Sequence, residues 1–191
     1  MAFDPSSPLP PNRPPEVEIA GDHIGSYVLC EVLGKGGFGN VWRAEQTEVV
    51  RREVALKVIK LGMDTTQVLR RFDQERQTLA ALDHPNITTM LDAGVSPDGR
   101  PYFAMELVRG GPITHWCDAH DAPLPERLRL FIQVCKAVQH AHDRGILHRD
   151  LKPTNILVTE IDGRPVPKII DFGIAKALHA STLDDLTTLT Q

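Results

Sequence analysis

The glycine run Gly34-Lys35-Gly36-Gly37-Phe38-Gly39, lying between two strand-like stretches, limits this chain's fold more than any other feature. Val28 to Leu33 precedes it and Val41 to Glu45 follows, so the glycines form the turn between two strands. Such a turn brings backbone N–H groups close to phosphate oxygens, where any Cβ would intrude. The same spacing can open the helix of a dinucleotide-binding unit. Here Val41-Trp42-Arg43 continues as strand, and no helix with a ribose-binding acid follows at the required distance, so that reading fails on context.

A third β-rich run, Val54 to Ile59, extends the pattern to an antiparallel sheet. Its period of two sets Val54, Leu56 and Val58 on one face and Ala55, Lys57 and Ile59 on the other. A helix follows, capped by Asp64 or Thr65, with Val68, Phe72, Glu75, Leu79 and Leu82 along one stripe. Glu75 is the odd member. An inward carboxylate is costly unless a cation meets it, and Lys57 is the natural partner; the bland alternative is a Glu75 that snorkels to solvent.

His84-Pro85-Asn86 ends the helix, and two further strands, Thr88 to Leu91 and Tyr102 to Leu107, flank the turn Ser96-Pro97-Asp98-Gly99. Beyond Gly110-Gly111 the chain turns helical, above all from Pro125 to His142. The apolar arc there (Leu128, Leu130, Phe131, Ile132, Val134, Cys135, Val138) is wide enough to imply packing on several sides. Ile156 to Thr159 and Lys168 to Ile170 read as a hairpin around Asp162-Gly163. There is no internal repeat.

With 191 residues and 41% apolar content the chain can bury a real core. Lys and Arg number 21 against 25 Asp and Glu, which gives no electrostatic reason to expect nucleic acid or an anionic membrane as partner. Cys30, Cys117 and Cys135 are odd in number and widely spaced, pointing to free, mostly buried thiols in a reducing compartment rather than a disulfide or zinc site. No stretch has the length of a membrane span and no signal-peptide blocks open the chain, so a soluble, cytoplasmic location is expected. Residues 1–24, rich in proline, read as a disordered tail without the anchors of an adaptor ligand. His140 and His142 stand two apart on a helix and point apart, which suits packing better than metal binding.

His148-Arg149-Asp150, leading to Asn155, and then Asp171-Phe172-Gly173 complete the sequence of motifs. Together with the glycine run and Val54-Ala55-Leu56-Lys57, they make the chain from about Tyr27 onward resemble the protein kinases, specifically the bacterial Ser/Thr kinases of eukaryotic type. The resemblance implies an α+β fold of two lobes. An antiparallel-sheet small lobe and its link (Glu106-Leu107-Val108) would occupy residues 25–108, and an incomplete helical large lobe residues 109–191. The implied reaction moves the γ-phosphoryl group of Mg-ATP to Ser or Thr hydroxyls of proteins without a covalent enzyme intermediate.

The family's roles then fall on residues of this chain. ATP would lie beneath Gly34, Gly36, Gly37 and Gly39, beside Glu106 and Val108, and between walls at Leu33, Val41, Ala55, Met105, Leu157 and Ile170, positions that suit plain core equally. Lys57, held by Glu75, would meet the α and β phosphates; Asp150 would orient and deprotonate the acceptor hydroxyl; Lys152 would neutralise the moving phosphoryl group. Asn155 and Asp171 would hold Mg2+. Arg149 would receive a phosphate on the activation segment, where Thr182, Thr187, Thr188 and Thr190 are candidate acceptors. Leu79, Met90, His148 and Phe172 match the stacked residues that link the lobes.

After Phe172 the family's Ala-Pro-Glu motif, docking loop and later helices do not follow. The expectation is a kinase fragment that folds its small lobe, holds its catalytic loop poorly and exposes part of the apolar arc. An ATP-binding pseudokinase or regulatory module without transfer activity is the alternative. A small-molecule phosphotransferase is a third reading, against which the glycine lid, Lys152 and Phe172-Gly173 argue.

Overall fold

The alternation in the third β-rich run organises the upper half of the molecule. In the computed structural model, which describes residues 18–37, 39–48, 51–60 and 82–172, this run is a strand in which Val54, Leu56 and Val58 are fully buried. The strands are β1 (His23–Ile24), β2 (Tyr27–Lys35), β3 (Gly39–Gln46), β4 (Arg52–Ile59), β5 (Met90–Val95) and β6 (Pro101–Glu106). They form one sheet in the order β1-β2-β3-β4-β6-β5, antiparallel throughout. Register shifts in β2 after Leu29 and after Val32 bend it around a core of Tyr27, Leu29, Trp42, Val54, Leu56, Val58 and Tyr102. Each such fully buried side chain contributes about 1.5–3 kcal/mol of transfer free energy.

The lower half is a three-stranded sheet backed by a helix. Strands β7 (Gly111–Pro112), β8 (Ile156–Ile161) and β9 (Arg164–Ile169) lie in that order. Asp162 and Gly163, at φ 51° and 70°, give the β8–β9 hairpin its two left-handed turn residues. Helix α1 (Ile113–Ala119) precedes α2 (Leu124–His142). Pro125 in the first turn of α2 suits a position whose N–H has no partner in the helix, and Glu126 there faces the positive end of the helix dipole. Gly145, at φ 72°, stops it, with the Ile146 N–H donating to the Ala141 carbonyl at 3.0 Å. Val134, Ala137 and Ala141 of α2 pack on Ile87, Ile156 and Ile169.

Three readings change. Residues 18–24, assigned to the tail, belong to the fold: Glu18 and Ile24 are buried, and the Gly21 N–H donates to the Leu29 carbonyl at 2.7 Å. The strand expected at Thr88 to Leu91 instead begins at Met90 and runs to Val95. Residues 86–88 are committed elsewhere, because Ile87 forms a parallel bridge with Ile169 and the Thr88 N–H donates to the Ile169 carbonyl at 3.0 Å. On α2, Leu128, Phe131, Ile132 and Cys135 are exposed, so the wide apolar arc is covered on one side only among the described residues. Only Cys117 of the three thiols is buried. The helix expected to carry Val68, Phe72, Glu75 and Leu79, and the threonines from Thr182 onward, fall outside the described residues. Leu82 is described and is buried against α2 and β9.

Gly110, where the chain enters the lower half, approaches β8 so closely that a Cβ would stand 2.1 Å from the Val158 carbonyl oxygen. Backbone cannot yield as a side chain can. Gly110→Ala is expected to destabilise the fold by about 1–3 kcal/mol, whereas Gly111→Ala, with only the His115 ring at 3.7 Å, should cost markedly less. Urea denaturation of the two variants side by side checks this, and equal midpoints would refute it.

Candidate active site

Cross-strand register brings several of the singled-out residues onto one face of the upper sheet. Val41 is paired with Lys57, and Ala55 with Met105; residues directly opposite one another project to the same side of a sheet. This face is opposite to Val54, Leu56 and Val58 and looks toward the lower half. Gly34 pairs with Val41 across the hairpin, and the Gly36 N–H closes the glycine turn on the Gly39 carbonyl at 2.9 Å. Gly39 has no room for a side chain, since a Cβ would meet the Val58 carbonyl at 2.1 Å. Lys60 donates to the Gly36 carbonyl at 3.0 Å and holds the turn over the sheet. Leu33, at the mouth of this turn, is half exposed.

Lys57 reaches out of the upper sheet to the lower half, where its Nζ donates to Asp171 Oδ2 at 2.8 Å. Both side chains are largely shielded, at 15% and 24% exposure, so neither charge could remain there alone without a heavy desolvation cost. Asp171 holds φ at 59°, a conformation uncommon for a residue with a Cβ. Arg149, just ahead of Asp150, holds another at 65°. Such clustering of disfavoured backbone is frequent at functional sites.

The loop from His148 to Asn155 is knitted by its own side chains. Lys152 donates to Asp150 Oδ2 at 2.8 Å, and Asn155 Nδ2 donates to the Asp150 carbonyl at 2.8 Å and to its Oδ2 at 3.2 Å. The Lys152 hydrogen bond leads in holding the Asp150 carboxyl below the usual carboxylate range, so it is an anion at neutral pH. Asn155 spends its amide N–H groups on Asp150, which turns its side-chain Oδ1, as distinct from its main-chain carbonyl, away from that residue. The Ile170 N–H donates to the Asn155 carbonyl at 3.0 Å, joining this loop to the residue before Asp171. Asn155 and Asp171 thus offer hard oxygen donors, the type that Mg2+ takes when phosphates and water complete its shell. Among the described residues no group of three or more His, Cys, Asp or Glu could hold a metal alone.

His148 sits beneath this loop, buried, with its ring edge-on to Phe172 at 4.8 Å between centroids. Its Nδ1 accepts from the Asp150 N–H at 3.3 Å, so its Nε2 carries the proton donated to the Ile170 carbonyl at 3.0 Å. Sequence reasoning passed over Lys168. It lies in β9, buried, and donates to Glu106 Oε2 at 2.9 Å, tying the link between the halves to the lower hairpin. The argument applied to Glu75, an inward charge in need of a partner, would have found it. Asn86 was likewise read as a helix terminator, yet its Nδ2 donates to the Pro167 carbonyl at 2.8 Å. Val108, half-buried, follows Glu106, and Leu157 lies opposite Lys168.

Burial pushes the His148 imidazole below its ordinary value of 6.5, so it stays neutral in the fold. The unfolded chain therefore takes up this proton first as pH falls, and stability is lost below about pH 6.5, by at most about 1.4 kcal/mol per pH unit for one group. His84, lowered mainly by burial and also by His140, acts in the same direction. Urea denaturation at pH 7, 6 and 5 should show falling stability, with a shallower slope in His148→Asn. An unchanged slope would contradict the assignment.

Comparison with known proteins agrees with this geometry. The model of the protein kinase domain matches residues 27–190. The chain is 43% identical over 155 residues to the DNA damage-responsive serine/threonine-protein kinase RqkA of Deinococcus radiodurans, covering 78% of this chain and 22% of that protein. It is 38% identical over 161 residues to the serine/threonine-protein kinase PrkC of Bacillus subtilis, covering 83% and 24% respectively. The chain thus spans less than a quarter of the length of these relatives. Among solved structures, the kinase domain of Mycobacterium tuberculosis PknI superposes with a TM-score of 0.67 at 31% identity, over 83% of this chain and 62% of that one. The curled antiparallel sheet and the helix-backed hairpin are therefore the two lobes of a known fold, and this chain belongs to the protein kinase family, among the bacterial serine/threonine kinases of eukaryotic type.

Proposed function

We propose that this chain forms the nucleotide-binding and catalytic-loop part of a protein kinase that transfers the γ-phosphoryl group of ATP to Ser or Thr hydroxyls of proteins. The observation that carries the proposal is the ion pair between Lys57 and Asp171, 114 residues apart in sequence. It joins the sheet beneath the glycine turn to the residue after Ile170, whose N–H bonds the loop that holds Asp150, Lys152 and Asn155. The serine/threonine-protein kinases that it matches support the same reading.

The roles follow from chemistry. ATP enters under Gly34, Gly36, Gly37 and Gly39, whose backbone N–H groups face phosphate oxygens. Its base lies between Leu33, Val41, Ala55 and Met105 above and Leu157 below, against the backbone of Glu106 to Val108. Lys57 leaves Asp171 in part to meet the α and β phosphates, and Glu75 is its proposed second partner. Asp171 and the side-chain Oδ1 of Asn155 would hold a divalent cation, proposed to be Mg2+, which would neutralise charge on the phosphates. Asp150 accepts the hydrogen bond, then the proton, of the attacking hydroxyl. Lys152, already 2.8 Å from Asp150, is placed to meet the transferring group. Arg149 and the threonines at 182, 187, 188 and 190 form the proposed regulatory pairing. A cytoplasmic kinase domain is the proposed setting; among the described residues no helix is long and apolar enough to cross a membrane.

Transfer of labelled phosphate to a Ser/Thr peptide tests this in the protein carrying the chain. Asp150→Asn is expected to lower kcat by about 10²–10⁴ while nucleotide binding persists, and Lys57→Met to lower it through misplaced phosphates. If wild type and Asp150→Asn transfer equally poorly while both bind nucleotide, the regulatory-module reading replaces this one.

A further inference from the structure

The glycine turn is followed at once by Asn40, whose side chain lies on the opposite sheet face from Val41 and is not free. Its Nδ2 donates at 2.7 Å to Oε2 of Glu18, a carboxylate from the segment ahead of the sheet. The Glu18 side chain is 2% exposed, and its other oxygen accepts from Arg100 Nη1. Arg100 is itself buried and fixed, its Nε donating to Asp98 at 2.6 Å and its backbone N–H to Ser96 Oγ at 3.0 Å. Asn40 pairs with Val58, and Val58 with Tyr102, which follows Arg100 by two residues. Glu18 therefore spans β3 to the start of β6 over the end of β4, the strand that carries Lys57. A buried anion is retained only where cations and donors satisfy it, and here one of those donors adjoins the glycine turn.

We infer that Glu18 is a positioning residue for the nucleotide lid: it clamps Asn40, and with it the C-terminal end of the glycine turn, to Arg100 across β4. Lys60 on the Gly36 carbonyl fixes the other end of the same turn. The turn thus has two anchors, at Gly36 and at Asn40, and the inference rests on the proposed nucleotide-binding reading. Loss of the clamp lets the lid's donors wander from the phosphates, which weakens nucleotide binding more than it slows chemistry.

Steady-state kinetics and binding of a fluorescent ATP analogue, both on the full protein, test this. Glu18→Ala should raise KM for ATP and the analogue's Kd by about five- to tenfold, with kcat within about twofold. Asn40→Ala should do the same, and the double variant should add little, as coupled residues do. Glu18→Gln should recover only part of the affinity, because its single amide oxygen can accept from Asn40 or from Arg100 but not from both. Removing residues 1–17 should leave the Kd unchanged and removing 1–22 should raise it. A Glu18→Ala protein that melts earlier but keeps KM and Kd, or an Asn40→Ala protein with wild-type affinity, would overturn the clamp. A wild type that binds the analogue without transferring phosphate would defeat the kinase reading alone, and the affinity comparison would still decide the clamp. A wild type that binds no analogue would overturn both.

Discussion

One ion pair, Lys57 with Asp171, decides whether the two halves of this molecule make a common site. Its two members come from opposite halves, and each is shielded enough that the other must be present. Much of the remaining architecture serves to bring those two atoms to 2.8 Å. The alternation of β4 turns Lys57 away from the buried row of Val54, Leu56 and Val58 and toward the cleft. The β8–β9 hairpin, reversed at Asp162-Gly163, delivers the chain to Ile170, and the left-handed backbone at Asp171 aims the carboxylate upward.

Around that pair, neutral and charged contacts divide the labour. His148 is kept neutral by burial and uses both ring nitrogens within the loop, one accepting from the Asp150 N–H and one donating to the Ile170 carbonyl. A protonated imidazole would lose the first of these. Asp150 is kept ionised by Lys152 and is bonded by Asn155. The same few residues thus hold an anion at the surface of the loop and an uncharged ring beneath it, the first through the Lys152 hydrogen bond and the second through burial.

Local pattern made the upper sheet legible in the sequence. Period two in Val54 to Ile59 correctly divided Leu56 from Lys57, and the glycine run correctly marked the β2–β3 turn, because both depend on neighbours within a few residues. The hairpin at Asp162-Gly163 was legible for the same reason. What escaped were partnerships across the chain. Residues 86–88 look like the close of a helix and the start of a strand, yet their backbone groups are taken by β9, 81 residues away in the case of Thr88 and Ile169. Lys168 and Glu106, 62 residues apart, left no periodic trace. Glu18 was hidden by its surroundings, since proline-rich sequence ahead of it reads as tail and a single acid carries no pattern. Proline content measured the likelihood of regular structure there, not the worth of one buried carboxylate.

Strand β9 is bonded along both of its margins, to β8 from the lower half and to residues 86–88 from the segment leading into β5. A strand held in this way behaves as a shared axle rather than as property of either half. Swinging the upper sheet against the lower helix cannot drag Ile169 along with one side unless hydrogen bonds on the other margin are given up. Any opening of the cleft would therefore have to be absorbed in front of the axle, after Glu106, which Lys168 ties to β9, and by the glycine turn, rather than at the carboxylate just beyond its end.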